Sequence, residues 1–158
     1  MPSELGLLTD EVRAAIGSTA GPYTLEVSRA TCRMFARSVG YTDRIYYNRE
    51  AAQQAGYRDV VAPPGYLGTW PHDPETEDNR SLSPEVPSPL KRGLNGSTDV
   101  EYRGDICAGD TLTAVGKIVD VKERTGGVGP MLVVSREVEF TNQQGELVAV
   151  LRGTSLRY

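Results

Sequence analysis

The sequence predicts an α+β fold, with helices packed against one face of an antiparallel sheet. Helical patterns occupy the first third of the chain, and from residue 97 onwards long alternating segments are joined by glycine-rich turns. A run of helices followed by a run of strands is typical of α+β domains. No internal repeat is visible, so we expect residues 1–158 to form one domain.

The N-terminal segment, residues 1–20, is predicted to be a helical extension. Within it, "TDEVRAAIG" (9–17) has acidic residues in its first turn and a glycine at its end, which favour a short helix. The next stretch, "GPYTLEV", alternates and is rich in β-forming residues. Residues 23–27 are therefore predicted to be a strand.

A second helix is predicted from a cap at Ser28 to about Val39. Its apolar residues follow the spacing i, i+3, i+4 and i+7, which places them on one stripe facing the core: Cys32, Phe35, Ala36 and Val39. Gly40 can adopt the left-handed backbone conformation that ends a helix.

A loop over residues 41–47 leads to a third, short helix. Asn48 is suited to the N-cap and Gly56 to the position just after the helix. Three alanines are expected to face inward: Ala51, Ala52 and Ala55. The stretch "DVVAPP" (59–64) is predicted to be a short buried segment that two prolines interrupt.

Residues 71–93, "PHDPETEDNRSLSPEVPSPLKRG", differ in composition from the rest of the chain. Five prolines and several carboxylates, with almost no apolar residues, leave this loop without a means of burying surface. Loops of this length are either functional or disordered. Two interpretations remain open, a lid or partner-facing flap and a floppy excursion, and His72 within it needs no function.

The C-terminal part is predicted to be a meander of four strands. Residues 97–104, 110–124, 130–142 and 146–158 alternate in polarity and are separated by turn residues such as "TGGVG" and "QQG". Long strands joined by tight glycine turns pair in antiparallel order. In the turn before residue 111, Gly109 and Asp110 are predicted to have a structural role.

The composition excludes several classes of function. The net charge is −4 and arginines are scattered, so nothing resembles a nucleic-acid-binding surface. No apolar run approaches the ~20 residues that cross a bilayer, and the acidic N-terminus is unlike a signal peptide. We therefore expect a cytoplasmic protein without nucleic-acid or membrane partners.

The two cysteines and the single histidine leave little room for metal or thiol chemistry. Cys32 and Cys107 are predicted to be small buried residues in a reducing compartment, in preference to a disulfide or a catalytic thiol. A zinc site built from His and Cys has almost no ligands available. We expect no metal and no other cofactor.

Most of the chain, from about residue 21 to residue 158, resembles the MaoC-like dehydratases. The similarity is to their N-terminal, fatty-acid-synthase-type dehydratase domain, and it depends most on "EAAQQAGYRDVVAPP", "AGDTLT" and "VEFTNQQGE". The resemblance implies a hot-dog fold, a long helix packed on a curved antiparallel sheet. It also implies a second hot-dog subunit as partner and an acyl-CoA or acyl-carrier-protein thioester as substrate.

The loop that carries catalysis in that family departs from its pattern here. Active members have G-D-x-N-P-I/L-H, whose Asp and His act on water and on the substrate Cα proton. In "GYTDRIYYNREAA" (40–52) Gly40 and Ile45 match. Tyr41 stands at the Asp position and Tyr46 at the His position, so both catalytic groups are missing.

Candidate site residues can still be chosen from this loop and its surroundings. A rebuilt site would use Asp43 as base and Tyr46 as donor, although Asp43 is equally suited to a local cap or ion pair. The substrate-binding candidates share either the loop, the "APPGYLGTW" wall or the "LNGS" strand entry: Tyr41, Tyr47, Asn48, Pro64, Gly65, Tyr66, Trp70, Asn95 and Gly96. For Trp70 core packing, and for Asn95–Gly96 a simple turn, are the structural alternatives.

Three functions follow, and the sequence favours the first. In the first, the chain is expected to be a dyad-free subunit of a heteromeric enoyl-thioester hydratase or dehydratase, and thus part of a lyase assembly. Alternatively, it is a homodimeric enzyme with a rebuilt Asp/Tyr site that dehydrates, isomerises, cyclises or hydrolyses an acyl thioester. The third candidate is a catalytically silent acyl-CoA-binding module.

Overall fold

A computed structural model describes residues 5–68 and 82–158 of the chain. Its centre is a five-stranded antiparallel sheet with the strand order β1-β3-β4-β5-β2. The strands are β1 (Thr19–Glu26), β2 (Gly93–Tyr102), β3 (Thr111–Gly126), β4 (Gly129–Thr141) and β5 (Leu147–Arg157). The predicted α+β class is confirmed.

Three α-helices precede most of the sheet in the chain, as the sequence predicts. They are α1 (Asp10–Ala14), α2 (Arg29–Val39) and α3 (Arg49–Gln54), with single 3-10 turns at Arg44–Tyr46 and Tyr66–Gly68. The caps are those expected from the sequence. Ser28 forms a capping box with Thr31, Asn48 accepts a hydrogen bond from the Ala51 N–H at 2.8 Å, and Gly40 ends α2 with φ 79°.

The first strand begins earlier than the sequence indicates. It starts at Thr19, four residues before the predicted position, so residues 1–20 are not helical throughout. Gly17 donates to the Ile118 carbonyl at 2.8 Å, and Ile118 donates to the Ser18 carbonyl at 3.1 Å. The chain therefore joins the sheet immediately after α1.

The predicted inward-facing residues of the helices are fully or partly buried, as Phe35 and Ala51 are, except near the helix ends. Cys32, Ala36 and Ala52 are completely buried. Val39 lies in the last turn of α2, and 50% of it is exposed. Ala55 is exposed as the C-cap residue of α3. The helical stripe is therefore shorter than its spacing suggests.

The prediction of a four-strand meander is wrong for its first strand. β3, β4 and β5 form a meander, but β2 begins at Gly93 and pairs with β5 at the far side of the sheet. Residues 103–110 connect β2 to β3 and bury Ile106 and Cys107 in passing, while Cys107 bridges to Val61. A connection of that length is too long for a tight hairpin, and burial of its apolar residues stabilises the crossing.

Two clusters of buried side chains form the core. The larger one contains residues of β3, β4, β5 and α2, among them Leu112, Phe140, Leu151 and Cys32. The smaller one consists of Val12, Ile118, Val121, Leu132 and Val134. Cys32 and Cys107 are both free thiols, and burial is the main reason that the pKa of each is raised, for Cys32 to about 12.

Residues 82–92, here called the sheet-crossing segment, lie across the sheet. Leu82 packs against the larger cluster, and Val86 and Leu90 pack against the smaller one. At Gly116 of β3 a Cβ atom would overlap the Leu82 carbonyl oxygen. The expectation that residues 71–93 bury no surface is therefore wrong for this part. Residues 71–81, with His72, lie outside the described residues.

The two edges of the sheet differ in character. The edge strand β1 contains Pro22, which lacks an N–H, and an irregularity between Ala20 and Tyr23. Prolines and bulges protect an edge from pairing with another chain. The other edge, β2, also carries an irregularity, between Asn95 and Ser97, but it has no proline, and all of its residues except Val100 are exposed. β2 is therefore the open edge.

Within the described parts of the chain, no helix is long and apolar enough to cross a membrane. The same residues contain no group of three or more His, Cys, Asp or Glu side chains that could hold a metal ion.

Candidate functional site

The loop between α2 and α3 brings two of the predicted site residues into contact. The rings of Tyr41 and Tyr46 lie 5.6 Å apart, centroid to centroid, with an interplanar angle of 36°. Tyr41 is 37% exposed and Tyr46 is half-buried. Tyr41 and Tyr46, which the resemblance aligns with the family's Asp and His, thus form a tilted ring contact.

Asp43, the predicted base of a rebuilt site, caps a turn of its own loop. Its carboxylate accepts a hydrogen bond from the Ile45 N–H at 3.1 Å and caps the 3-10 turn Arg44–Tyr46. The residue is exposed. The structure therefore shows the capping role for Asp43.

Tyr46 is suited to donate a hydrogen bond. Burial is the main cause that raises the pKa of its phenol, and the nearby Asp43 charge adds to the effect. Both influences favour the neutral form, in which the hydroxyl carries its proton. Tyr46 is therefore a donor at neutral pH.

Tyr47 and Asn48 hold the loop in place. The Tyr47 hydroxyl donates to the Tyr41 carbonyl, and the Tyr47 carbonyl accepts from Arg33 Nε at 2.7 Å. The Asn48 side chain is the N-cap of α3. Both residues, predicted as substrate-binding, have structural partners in this chain.

The "APPGYL" segment lies directly beside this loop. The Val61 N–H donates to the Ile45 carbonyl at 3.1 Å, which fastens the segment to the loop. Pro64 and Gly65 are exposed, and the Gly65 N–H donates to the Tyr102 hydroxyl at 3.2 Å. Gly65 has φ +90°, a conformation that side-chain-bearing residues rarely adopt.

Tyr66 belongs to the core, which differs from its predicted place in a pocket wall. It is 5% exposed, and its ring meets Phe35 edge-on at 6.2 Å and 84°. Its hydroxyl lies 2.8 Å from Thr31 Oγ1. Trp70, the other aromatic residue assigned to the wall, lies outside the described residues.

Asn95 and Gly96 lie far from the loop within one chain. They are near the start of β2, whereas Tyr102 is its last residue. Seven residues of strand correspond to about 23 Å. Gly96 packs instead against Thr154 of β5. The predicted site residues therefore fall into two groups. The loop residues lie towards the end of β2, and Asn95 and Gly96 lie near its start.

Tyr102 was not selected by sequence reasoning. It is 41% exposed, and burial of the rest of its ring raises the pKa of its phenol. The charge of Tyr41 adds to the raised pKa of Tyr102, and Tyr102 in turn adds to the raised pKa of Tyr46. A Tyr alternating with polar residues in a strand carries no signal of function, and its partner Gly65 is 37 residues away in the sequence.

Asp59 fixes the position of the helices on either side of the loop. It accepts two hydrogen bonds from Arg29 of α2, at 2.8 and 2.7 Å, and lies 3.5 Å from Arg49 of α3. The hydrogen bonds from Arg29 are the main reason that the Asp59 pKa is lowered to about 2. The loop is thus held between two anchored helices.

A second ion pair anchors the turn before β3. Arg58 binds both oxygens of Asp110, at 2.7 and 2.9 Å, and Asp110 is 2% exposed. The Cys107 N–H donates to the same carboxylate at 2.9 Å. The structural role predicted for Asp110 agrees with this arrangement.

Together these groups form a site of hydrogen-bond donors. The phenols of Tyr46 and Tyr102 can donate to a carbonyl oxygen, whereas the Gly65 amide already donates to Tyr102, and none of these groups is a general base. Among the described residues of the loop, the carboxylate of Asp43 is exposed and already bonded. The arrangement is suited to binding an acyl group in preference to transferring its protons.

Comparisons with known proteins identify the family. A family model described as "FAS1-like, dehydratase domain region" matches residues 14–151. The chain is 33% identical over 132 residues to a UPF0336 protein of Saccharopolyspora erythraea, which covers 82% of this chain and 79% of that protein. It is 31% identical over 134 residues to a UPF0336 protein of Streptomyces griseus, covering 84% and 85%.

Solved structures show the same architecture. The chain matches the C-terminally truncated HadBC (3R-hydroxyacyl-ACP dehydratase) complex of Mycobacterium tuberculosis at 27% identity and a TM-score of 0.72, covering 90% of this chain and 96% of that one. The ChsH1–ChsH2 complex of the same organism matches at 17% identity and a TM-score of 0.70, covering 93% and 91%. The chain therefore belongs to the FAS1-like dehydratase-region family and has the hot-dog fold of the MaoC-like dehydratases and hydratases.

Proposed function

We propose that this chain is the dyad-free subunit of a heteromeric enoyl-thioester hydratase or dehydratase and helps to bind the acyl chain. The observation that carries the proposal is the state of the 41–47 loop. Tyr41 and Tyr46, which the resemblance aligns with the acid and the base, are in tilted ring contact, and the carboxylate of Asp43 caps a turn. The substrate is an acyl-CoA or acyl-carrier-protein thioester, and no cofactor is involved.

The chemistry explains why a partner is needed. Hydration of an enoyl thioester requires a base for the attacking water, an acid for the Cα position and a donor to the thioester oxygen. This chain contributes the phenols of Tyr46 and Tyr102 to the surface that binds the acyl chain, while the Gly65 amide is bonded to Tyr102. The acid and base come from a second hot-dog subunit with an intact loop.

The open edge of the sheet provides the surface for that subunit. β2 is ten residues long, no other described strand pairs with its outer side, and Leu94 and Tyr102 on it are 55% and 41% exposed. An exposed edge with apolar residues is a surface that native proteins cover. Two of the structures similar to this chain, HadBC and ChsH1–ChsH2, are complexes, which supports a heteromeric arrangement.

Edge pairing also gives Asn95 and Gly96 a role. If β2 pairs antiparallel with an edge strand of the partner, the start of β2 lies beside the end of the partner's strand. Asn95 and Gly96 then face the part of the acyl-binding site that the partner contributes, although they are far from Tyr102 in their own chain.

The proposal is tested by a hydration assay. The purified full chain is mixed with crotonyl-CoA or with one bulkier enoyl-CoA, alone and together with a hot-dog chain of the same genome that carries G-D-x-N-P-x-H. We expect no turnover from this chain alone. Turnover by the mixture should exceed that of the partner alone, since the partner supplies the dyad and this chain completes the acyl site.

A double variant, Asp43→Asn with Tyr46→Phe, separates this proposal from a rebuilt catalytic site. Turnover by the chain alone that disappears in the double variant would show that Asp43 and Tyr46 perform the chemistry, and the subunit proposal would be wrong. Acyl-CoA binding without turnover in any mixture would instead identify a silent binding module.

A further inference from the structure

Arg157, the last residue of β5, carries a positive charge at a partly buried position. Its side chain and that of Arg136 are partly buried, whereas the other described arginines are exposed. Among residues 5–68 and 82–158, no carboxylate lies within ion-pair distance of the Arg157 guanidinium. Removal of a charge from water costs free energy unless an opposite charge compensates it. The guanidinium is therefore suited to an anion that comes from outside the chain.

Arg157 lies on the inner face of the sheet, which carries the core. It pairs with Gly93 of β2 and with Leu132 of β4, and directly paired residues of antiparallel strands have their side chains on the same face. Leu132 is completely buried in the smaller core cluster. A Cβ atom at Gly93 would overlap Nη1 of Arg157. The guanidinium therefore reaches over the open edge strand because position 93 has no side chain.

Arg157 also forms one wall of a cleft beside the sheet-crossing segment. The cleft has a volume of about 310 Å³ and is lined by Glu85, Val86, Pro87, Ser88, Leu90 and Arg157. Ser88 Oγ accepts a hydrogen bond from the Leu90 N–H at 3.0 Å, which leaves the hydroxyl proton to donate. Glu85 is exposed, so solvent weakens its repulsion of an anion in the cleft.

The inner face next to the open edge is polar. Residues two apart in a strand share a face, so the inner face continues from Arg157 along β5 and its partner β2. The next paired residues on it are polar or lack a side chain: Ser155 with Asn95, and Gly153 with Thr98. A long aliphatic chain along the first half of β2 would bury these polar groups without partners. This surface is suited to a short acyl group with a polar end.

The pairing proposed for β2 brings this surface to the partner's acid and base. In this chain the 41–47 loop lies towards the end of β2, since Gly65 beside the loop is bonded to Tyr102. A hot-dog partner of the same architecture, paired through antiparallel edge strands, brings its own loop to the start of β2 in this chain. An acyl group that reacts at the partner's loop therefore meets Asn95 and Arg157.

We propose that Arg157 binds a carboxylate at the far end of the acyl group, so that the substrates of the assembly are enoyl thioesters of dicarboxylic acids. This rests on the proposed function, because it assigns a substrate class to the acyl site. The planar guanidinium can bind both oxygens of a carboxylate, and the Ser88 hydroxyl provides a further donor.

The test compares saturated thioesters that differ only at the end of the acyl group. Glutaryl-CoA and adipyl-CoA end in a carboxylate where valeryl-CoA and hexanoyl-CoA end in a methyl group, and none of them can be hydrated. Each is titrated by calorimetry into the full chain mixed with the dyad-bearing partner. We expect the carboxylate member of at least one pair to bind about tenfold tighter than its methyl counterpart, which is the effect of one hydrogen-bonded charge pair.

Arg157→Gln should abolish this preference and leave the affinity for the methyl-ended thioesters unchanged, because only the charge that faces the carboxylate is removed. Arg124→Gln is the matched control and should retain the preference. Arg124 pairs with Met131, the neighbour of Leu132 in β4, and is exposed on the opposite face of the sheet. Thermal melts confirm that both variants are folded.

The outcomes separate the carboxylate site from the subunit role. Equal affinity within both pairs, or an unchanged preference in Arg157→Gln, would overturn the carboxylate site while acyl binding remained established. An equal loss of affinity for both members of a pair in Arg157→Gln would also overturn it and would assign Arg157 to the phosphates that all four ligands share. Failure of all four ligands to bind would overturn the proposed acyl-binding function itself.

Discussion

The carboxylate of Asp59 joins α2, α3 and the start of the 60–62 segment. Its carboxylate binds Arg29 and lies near Arg49, and it also accepts from the Val60 N–H at 2.7 Å. Its pKa is lowered from 3.8 to about 2, so the charged form is stabilised by folding. That stabilisation is complete above pH ~4 and is lost as the pH falls towards 2.

We therefore predict that Asp59→Asn lowers the free energy of unfolding at pH 7 by roughly 1 kcal/mol, since solvent weakens ion pairs to half-exposed arginines. The wild type should lose more stability than the variant between pH 4 and pH 2. Urea denaturation at each pH measures this difference. Asp105→Asn, at an exposed carboxylate, is the control, and identical pH profiles for the wild type and Asp59→Asn would contradict the prediction.

At single residues the sequence predicted the helix caps correctly, but it did not predict contacts between residues that are distant in the chain. Ser28, Gly40 and Asn48 cap the helices as predicted because capping depends on residues within four positions of each other. Tyr102 could not be selected, since its role depends on Gly65, a residue distant in sequence that only the fold brings near. The sequence allowed Asp43 to be either a catalytic base or a local cap. The hydrogen bond that its carboxylate accepts from the Ile45 N–H shows the capping role.

Among the elements, the sheet-crossing segment depends on one residue without a side chain. Gly116 lets the backbone at Leu82 lie against β3. We predict that Gly116→Ala moves the segment away from the sheet and lowers the free energy of unfolding by about 1–3 kcal/mol, the usual cost of overpacking. Denaturant unfolding measures the loss, and faster proteolysis between residues 82 and 92 reports the displacement.

Gly127→Ala is the matched variant for this experiment. Gly127 lies in the β3–β4 turn, has no atom within 4 Å of a Cβ position and does not require a positive φ. Its substitution should leave stability within about 0.5 kcal/mol of the wild type. Equal effects of the two alanines would show that the segment does not need the gap at Gly116.

The elements differ in how far the sequence determines them. Helices and the three meander strands follow from periodicity, capping and turns, all of which are local. The position of β2 next to β5 does not, because the sequence of a strand does not state which neighbour it pairs with. The sheet-crossing segment was missed because its three apolar residues have the four-residue spacing of a helix, while three prolines in the same stretch exclude a helix and leave no strand alternation.

For the molecule as a whole, the asymmetry between its two sheet edges predicts how it associates. Leu94 lies on the open edge and is 55% exposed, and Val128 lies in a hairpin away from it and is 66% exposed. We predict that Leu94→Arg weakens association with the dyad-bearing partner about tenfold or more, since the charge loses its hydration on pairing.

Val128→Arg adds the same charge at the hairpin and should not change the association. Sedimentation velocity of each variant mixed with the partner gives the dissociation constants. Equal weakening by both substitutions would indicate a general charge effect, and no weakening by Leu94→Arg would place the partner elsewhere on the chain. At this scale the fold family was predictable from the sequence, whereas the difference between the edges was visible only once β1 and β2 were placed at opposite sides.

Pro22 and the irregularity beside it have a consequence for stoichiometry. A sheet with two open edges can add chains indefinitely and grow into a fibre, because each addition leaves a new free edge. If a partner pairs with β2, it uses the one edge of the described sheet that carries no proline, and the outward-facing edges of the pair are protected if the partner is built in the same way. On the proposed pairing through β2, we therefore expect the proline of β1 to stop further strand addition and to limit the assembly to two five-stranded sheets.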